Sequence, residues 1–282
     1  MEESYIQLPS GESLFTRTWH PVSKPRAAII LIHGLSDHSG RFIYPGETLS
    51  DHGFVFIAPD LRGNGRSPGK RGHFDSFDQV MDDMKAVVEF TKSQYPGIPV
   101  FLYGQSMGGG LVISFALKHP ELIIGAIASS PWLRLAHPPS GIIRVIASLI
   151  KPMMPSLLMP NGLKSSDLCH DKVVQEAYDN DPLIHWKVSL STFFIINKSG
   201  ERAINNAARL HVPLLLLHGN ADQITSYDAS VQFAEKCPDK CTFKSWSGQF
   251  HELHNEPIKE QVLEFIVQWI ESLLKRKGFD QK

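Results

Sequence analysis

Short, continuous apolar runs recur along the chain and predict buried β-strands. They lie at residues 27–32, 54–58, 100–103, 123–128 and 213–217, with a shorter run near 242–246. A strand that is apolar without alternation is typical of a parallel sheet covered on both faces. Near the N-terminus, residues 6–19 predict a hairpin, because the turn-forming residues 8–12 separate two strand-like runs.

Helical periodicity alternates with these runs. Apolar residues spaced three and four apart predict a helix over residues 78–95, and further helical patterns lie at 227–236 and 257–276. Strands that alternate with helices predict an α/β fold with a mostly parallel central sheet flanked by helices. A chain of 282 residues is long enough for one such domain with an insertion.

Residues 131–206 interrupt this alternation. The segment is too long for an ordinary loop, and it contains two strongly apolar stretches at 141–150 and 151–160. We predict that it forms an inserted helical cap over the mouth of the sheet. The predicted division is therefore a core of residues 1–130 and 207–282 and a cap of residues 131–206.

The most informative local pattern is Gly104-Gln105-Ser106-Met107-Gly108. It follows the apolar run at 100–103 and precedes a second apolar stretch with helical character. A G-x-S-x-G pattern between a strand and a helix is typical of a nucleophile elbow, in which flanking glycines allow the sharp turn that exposes the serine hydroxyl. The sequence therefore predicts Ser106 as a nucleophile.

A serine nucleophile needs a base and an acid, and in this architecture they follow the serine in the order acid, then histidine. Asp222 is the first carboxylate after the strand at 213–217, whereas its rival Asp228 falls within the next helical pattern. His251 lies in the loop before the last helix, with His254 as a competitor. We predict Asp222 as the orienting acid and His251 as the general base.

Two backbone N–H groups are expected to form an oxyanion hole. One belongs to Met107, the residue after the nucleophile, and the other to Leu35, in the loop that follows the strand at 27–32. Backbone donors place no demand on the side chain, so a leucine and a methionine are compatible with this role. His33 begins the same loop and is interpreted as a structural residue that braces it.

Composition narrows the function class. The net charge of −1 gives no basic excess, so nucleic-acid binding is not expected. Three cysteines predict neither a disulfide framework nor a thiolate metal site, and no metal is expected. The first residues lack a cationic and apolar leader, and no apolar run approaches the roughly 18 residues of a membrane span. A cytoplasmic protein is the default expectation.

Taken together, these motifs resemble those of the monoacylglycerol lipases, serine hydrolases of the α/β-hydrolase fold with lysophospholipase-like homologues. The stretches that carry the resemblance are His33–Arg41, Asp60–Ser67, Gly104–Gly109, His218–Asp222 and His251–Glu256. The H-G-x-x-x-H-S-G-R and H-x-x-H-x-E patterns are the most specific of them. The resemblance covers nearly the whole chain and is weakest in residues 132–206.

The resemblance implies cleavage of a monoacylglycerol to glycerol and a free fatty acid, without a cofactor. It also implies that Asp37, Arg41 and His254 hold the glycerol hydroxyls at the polar end of an apolar tunnel. Asp37 stands where the family more often has glutamate, and its side chain is one methylene shorter. The alternatives are a lysophospholipase, a short-chain carboxylesterase or, in another class, a non-catalytic ligand-binding protein on a hydrolase fold.

The apolar stretches of the predicted cap have two interpretations. They include several methionines, whose flexible side chains suit an adaptable acyl tunnel, and Arg144 and Lys151 interrupt them. The cap could therefore line the tunnel and make peripheral contact with a membrane surface. Alternatively, the same residues only pack the cap onto the core.

Overall fold

An eight-stranded sheet forms the centre of the molecule in the computed structural model, which describes residues 1–279. Its strands are β1 (Glu2–Gln7), β2 (Ser13–Trp19), β3 (Ala27–Ile32), β4 (Phe54–Pro59), β5 (Val100–Gln105), β6 (Gly125–Ser129), β9 (Leu214–Gly219) and β10 (Cys241–Trp246). The spatial order is β1-β2-β4-β3-β5-β6-β9-β10. The hairpin β1–β2 and the β2–β4 pair are antiparallel, and all other pairs are parallel. The mostly parallel sheet is confirmed.

Eight α-helices and a small second ribbon complete the described chain. The helices are α1 (Ile43–Asp51), α2 (Phe77–Gln94), α3 (Met107–Lys118), α4 (Gly141–Ile150), α5 (Lys172–Asn180), α6 (Leu190–Asn206), α7 (Tyr227–Glu235) and α8 (Lys259–Arg276). Strands β7 (Leu158–Pro160) and β8 (Lys187–Ser189) pair antiparallel. The predicted helices at 78–95, 227–236 and 257–276 are confirmed within two residues. Helix α1 was not predicted, because Pro45 and Gly46 within it are poor helix formers.

The uninterrupted apolar strands are explained by two separate cores, one on each face of the sheet. In β3, Ile29 and Leu31 face the core beneath α1 and α8, whereas Ile30 and Ile32 face the core beneath α2, α3 and α6. All four side chains are at most 1% exposed. Successive residues of a strand point to opposite faces, so a strand between two cores must be apolar at every position.

The segment predicted as a cap contains α4, β7, α5, β8 and α6. Its last helix, α6, packs against α3 and buries Ile196, Ala203 and Ile204 in the layer that covers the sheet. Helix α4, in contrast, buries only Ala147. The two ends of the segment therefore differ in how firmly they join the core.

Close packing of α3 against β3 fixes the position of the turn before α3. Gly108, in the first turn of the helix, lies against the backbone of Ile32, and a Cβ atom at this position would overlap the Ile32 carbonyl oxygen. His33 continues this strand end: its Nε2 accepts the N–H of Leu61 at 2.9 Å, and its Nδ1 lies 2.8 Å from the Gly34 carbonyl oxygen. These two bonds brace the loop, as predicted for His33.

We expect the substitution Gly108→Ala to lower the free energy of unfolding by at least about 2 kcal/mol, because backbone atoms must shift to accept the new methyl group. Urea unfolding of both proteins measures the difference. Gly141→Ala is the matched control, since a Cβ atom at Gly141 meets open space and should change stability by no more than about 0.5 kcal/mol. Equal effects of the two substitutions would contradict this account.

Candidate active site

Ser106 lies in the tight turn between β5 and α3. Its backbone has φ 56° and ψ −119°, a conformation that costs a non-glycine residue on the order of 1–3 kcal/mol. Surrounding hydrogen bonds hold it there: the Ser106 carbonyl accepts the N–H groups of Trp132 at 2.8 Å and Gly110 at 3.1 Å, and the Ser106 N–H donates to Ser129 at 2.9 Å. The turn is thus fixed in the geometry of a nucleophile elbow.

His251 and Asp222 meet although 29 residues separate them in the chain, and His251 lines the same cavity as Ser106. Nδ1 of His251 lies 2.7 Å from Oδ2 of Asp222. The same oxygen accepts the Thr225 hydroxyl at 2.9 Å and lies 3.1 Å from Nε2 of His218. Oδ1 accepts the backbone N–H groups of Ile224 and Thr225 at 2.7 and 3.1 Å. The carboxylate is therefore held in one orientation by five contacts.

The rival acid does not share this arrangement. Asp228 lies in the first turn of α7 and is exposed. An acidic residue in this position is typical of a helix N-terminus, where it complements the helix dipole. Of the two carboxylates weighed from the sequence, the structure brings only Asp222 to the histidine.

Electrostatics set the protonation states of the pair. Burial opposes the charged form of Asp222, but the neighbouring charge of His251 and the hydrogen bonds from His218 and His251 outweigh it and hold the pKa of Asp222 well below its ordinary value. For His251, burial acts to lower the pKa, but Asp222, followed by Glu252 and Asp37, raises it above its ordinary value. The arrangement favours an ionised Asp222 and stabilises the protonated form of His251.

Two free backbone donors lie beside Ser106. Met107 is the first residue of α3, and Leu35 follows Gly34, whose position is so close that a Cβ atom there would lie 3.4 Å from Cβ of Ser106. Among residues 1–279, no group accepts the N–H of Leu35 or of Met107. Both predicted oxyanion donors are therefore adjacent to the candidate nucleophile and available to a ligand.

A cavity of about 480 Å³ opens above Ser106 and His251, between the sheet and the segment 131–206. Most of its wall is apolar and comes from both parts of the chain. The apolar lining includes Leu35, Trp132, Ile143, Ala147, Met159 and Phe193. The size and the character of the wall suit a small, largely apolar ligand.

The cavity wall also contains polar side chains, and four of them meet around Arg41. We call these four the Arg41 cluster: Asp37, Arg41, Tyr178 and Glu252. Arg41 donates from both Nη atoms to the Glu252 carboxylate, at 2.8 and 2.7 Å. One Nη atom also lies 3.2 Å from Oδ1 of Asp37. The guanidinium stacks over the ring of Tyr178, 4.6 Å from its centre. Side chains from the core and the segment 131–206 thus meet around one buried cation.

Two atoms of the Arg41 cluster have unused hydrogen-bonding capacity. Oδ2 of Asp37 and the hydroxyl of Tyr178 are buried, and neither has a partner in the described part of the chain. Leaving a buried polar group unpaired costs about 1–3 kcal/mol. A ligand hydroxyl that entered this end of the cavity would relieve that cost.

His254 occupies a different place from the other predicted glycerol-binding residues. It is fully buried, its ring stacks on Phe42 with 4.6 Å between the ring centres, and it is not part of the cavity wall. Burial lowers the pKa of His254 to about 4, so the ring is neutral at neutral pH. A contact between His254 and a substrate stays a prediction.

Sequence reasoning missed three residues of the site: Tyr178, Glu252 and Glu256. Glu256 accepts the backbone N–H groups of Phe250 at 2.7 Å and His170 at 3.0 Å, which fixes the loop before His251 to the segment 131–206. Glu252 gave one signal in the sequence, its position directly after the candidate base, but nothing local in the chain pairs it with Arg41. Tyr178 gave no such signal, because it lies in the part of the chain with the weakest resemblance.

Fold and site together define a serine hydrolase of the α/β type, and comparison with known proteins agrees. The model of the serine aminopeptidase S33 family matches residues 23–258, and the chain belongs to this family. It is 36% identical to an uncharacterised abhydrolase-domain protein of Dictyostelium discoideum, covering 92% of this chain and 28% of that protein. Human monoglyceride lipase is 33% identical, covering 92% of this chain and 87% of that enzyme.

A solved structure extends the comparison. The monoacylglycerol lipase of Paleococcus ferrophilus superposes with a TM-score of 0.85 at 32% identity, covering 92% of this chain and 99% of that chain. The similarity therefore extends over nearly the whole chain.

We expect Asp222→Asn to lower kcat/KM for 4-nitrophenyl butyrate by about 10³–10⁴-fold, because an amide no longer holds His251 in the required tautomer. Removal of the carboxylate also destabilises the imidazolium, so the pKa of His251 falls and the rising limb of the pH profile moves to lower pH. Asp228→Asn removes the same charge from an exposed position and should leave both the rate and the profile unchanged. A profile that moves to higher pH would contradict this assignment.

Proposed function

We propose that this protein hydrolyses monoacylglycerols to glycerol and a free fatty acid through an acyl-serine intermediate. The observation that carries the proposal is an apolar cavity that joins Ser106 and His251 to a polar cluster with unpaired buried oxygens. An acyl chain fits the apolar wall, and glycerol hydroxyls match the free oxygen of Asp37 and the hydroxyl of Tyr178. The similarity to enzymes named monoglyceride lipases supports the same substrate class.

In the acylation half of the proposed reaction, Ser106 Oγ attacks the ester carbonyl carbon while Nε2 of His251 takes its proton. The N–H groups of Leu35 and Met107 stabilise the oxyanion of the tetrahedral intermediate. When the intermediate collapses, the bond to the glycerol oxygen breaks and His251 protonates that oxygen. Asp222 stabilises the imidazolium between the two proton transfers.

Deacylation repeats these steps with water. The oxygen of the water molecule attacks the acyl carbon while His251 takes a proton from the water. The same two N–H groups stabilise the second oxyanion. Ser106 then leaves and recovers a proton from His251. The fatty acid departs, and the protein returns to its starting state without a metal or organic cofactor in any step.

Residues 131–206 act in this proposal as a cap with a lipid-facing surface. On α4, Ile143 and Ala147 border the cavity, while Ile142 and Leu149 are 75% and 71% exposed. Exposed apolar side chains on one helix, with basic residues among them, are typical of a peripheral membrane contact. No helix within the described residues is both long enough and apolar enough to cross a bilayer.

We expect Ser106→Ala to lower kcat/KM for 1-oleoylglycerol by about 10⁵-fold or more, because no other group replaces the nucleophile. It should also abolish covalent labelling by a fluorophosphonate probe. Ser114 lies further along α3, and its hydroxyl hydrogen-bonds only to the Gly110 carbonyl. The control variant Ser114→Ala should therefore retain both the hydrolysis of 1-oleoylglycerol and the labelling by the probe. Wild-type protein that neither hydrolyses the ester nor accepts the probe would favour a non-catalytic binding protein.

The substrate class is decided by wild-type rates on 1-oleoylglycerol, lysophosphatidylcholine and 4-nitrophenyl acetate. The proposal requires the highest kcat/KM on the monoacylglycerol. Fast acetate cleavage with slow turnover of long acyl chains would show instead a short-chain carboxylesterase.

We expect the double substitution Ile142→Gln and Leu149→Gln to weaken binding to phosphatidylcholine vesicles by roughly tenfold or more, because two apolar side chains no longer enter the lipid. Co-sedimentation measures the binding. Val22→Gln, at a fully exposed valine outside the cap, is the control and should leave vesicle binding unaltered. If the double variant binds like wild type, α4 is not the docking surface.

A further inference from the structure

Glu252 directly follows the proposed base and lies inside the cavity wall. Its carboxylate accepts hydrogen bonds from both Nη atoms of Arg41, at 2.8 and 2.7 Å, and from the side-chain amide of Asn255, at 2.7 Å. The side chain is 3% exposed. The proposed mechanism assigns Glu252 no step in the proton transfers, so its contacts call for another explanation.

The charges of the Arg41 cluster do not cancel. It contains one guanidinium, which faces two carboxylates, those of Asp37 and Glu252. Burial acts to raise the pKa of Glu252, but the charge of Arg41 outweighs it and lowers the pKa to about 2. Glu252 is therefore ionised at neutral pH, and two carboxylates against one cation leave the Arg41 cluster with an excess negative charge. The remaining charged residues of the cavity wall are Arg144, Lys164 and Asp167.

The geometry of Arg41 reinforces this excess. An arginine binds phosphate most strongly through two parallel N–H···O hydrogen bonds from one edge of its planar guanidinium. Here that pair of Nη atoms already meets Glu252, so it is not offered to a ligand. Within residues 1–279, the buried atoms of this cluster without a partner are Oδ2 of Asp37, which accepts hydrogen bonds, and the neutral Tyr178 hydroxyl.

We propose that Glu252 is a specificity-determining residue that selects an uncharged polyol head group and rejects a phosphate-bearing one. It does so by occupying both Nη atoms of Arg41 and by adding a second carboxylate beside Asp37. This inference rests on the proposed function, because it concerns the alcohol part of the same ester substrate. A neutral glycerol donates its hydroxyl protons to the free carboxylate oxygen, whereas a phosphate ester meets the like charge of two carboxylates and finds the Nη1/Nη2 edge of Arg41 already paired with Glu252.

The test compares two substrates with the same acyl chain, 1-oleoylglycerol and 1-oleoylglycerol 3-phosphate, in micelles of a neutral detergent. In Glu252→Gln, Arg41 keeps Asp37 as a counter-ion but regains free N–H groups. We expect the ratio of kcat/KM, phosphate ester over monoacylglycerol, to rise by about tenfold or more, mainly through a lower KM for the phosphate ester.

Two further variants separate charge from other effects. Glu252→Asp keeps the carboxylate and should keep the wild-type preference for the monoacylglycerol. Glu260→Gln removes a carboxylate from an exposed position on the first turn of α8 and should leave the ratio unchanged. An unchanged ratio in Glu252→Gln, or an equal shift in the Gln and Asp variants, would overturn the inference.

Hydrolysis of 4-nitrophenyl butyrate, which has no glycerol part, reports whether each variant retains a working triad. If Glu252→Gln lacks this activity, the test uses inhibition of butyrate hydrolysis by the two lipids in wild-type protein. We expect 1-oleoylglycerol 3-phosphate to inhibit at least about tenfold more weakly than 1-oleoylglycerol. Equal inhibition by the two lipids overturns the inference. Wild type that cleaves the butyrate but not 1-oleoylglycerol would refute the proposed function instead. The two failures are thus distinguishable.

Discussion

The close approach of α3 to the end of β3 is the contact on which the site depends. Gly108 has no side chain, so the first turn of α3 lies directly against the carbonyl oxygen of Ile32. This contact leaves room only for a sharp turn before the helix, and Ser106 occupies it with a positive φ. The N–H of Met107 and the loop at Leu35 then lie on either side of the serine, because one belongs to α3 and the other continues β3.

Buried charge is organised around this turn in two adjoining groups. Asp222 and His251 form the first, and the Arg41 cluster forms the second, joined to it because Glu252 is the next residue after His251. Buried ions are costly unless they are paired and hydrogen-bonded. The hydrogen bonds to Asp222 and the two parallel hydrogen bonds from Arg41 to Glu252 meet this requirement. The same pairing leaves Oδ2 of Asp37 free at the polar end of the cavity.

The segment above the sheet joins the core unevenly, and this matters for access to the cavity. Helix α6 packs in the layer around the sheet, and α5 brings Tyr178 onto Arg41. His38 in the core contacts Asp181 at 2.9 Å, and Glu252 donates its backbone N–H to Leu168 at 2.7 Å. Helix α4 makes few such contacts, and it has apolar side chains both on the side that lines the cavity and on the exposed side.

The features that depend on residues close together in the chain were predictable from the sequence alone. Apolar runs identified the strands, because a strand between two cores has no polar face, and the glycines around Ser106 identified the turn. The order of serine, aspartate and histidine then followed from where strands end. Three features depend on long-range contacts of the folded chain: Arg41 pairs with a glutamate 211 residues away, Tyr178 stacks on Arg41, and His254 is buried outside the cavity wall. Such contacts join distant segments, and no local periodicity encodes which side chains meet when the chain folds.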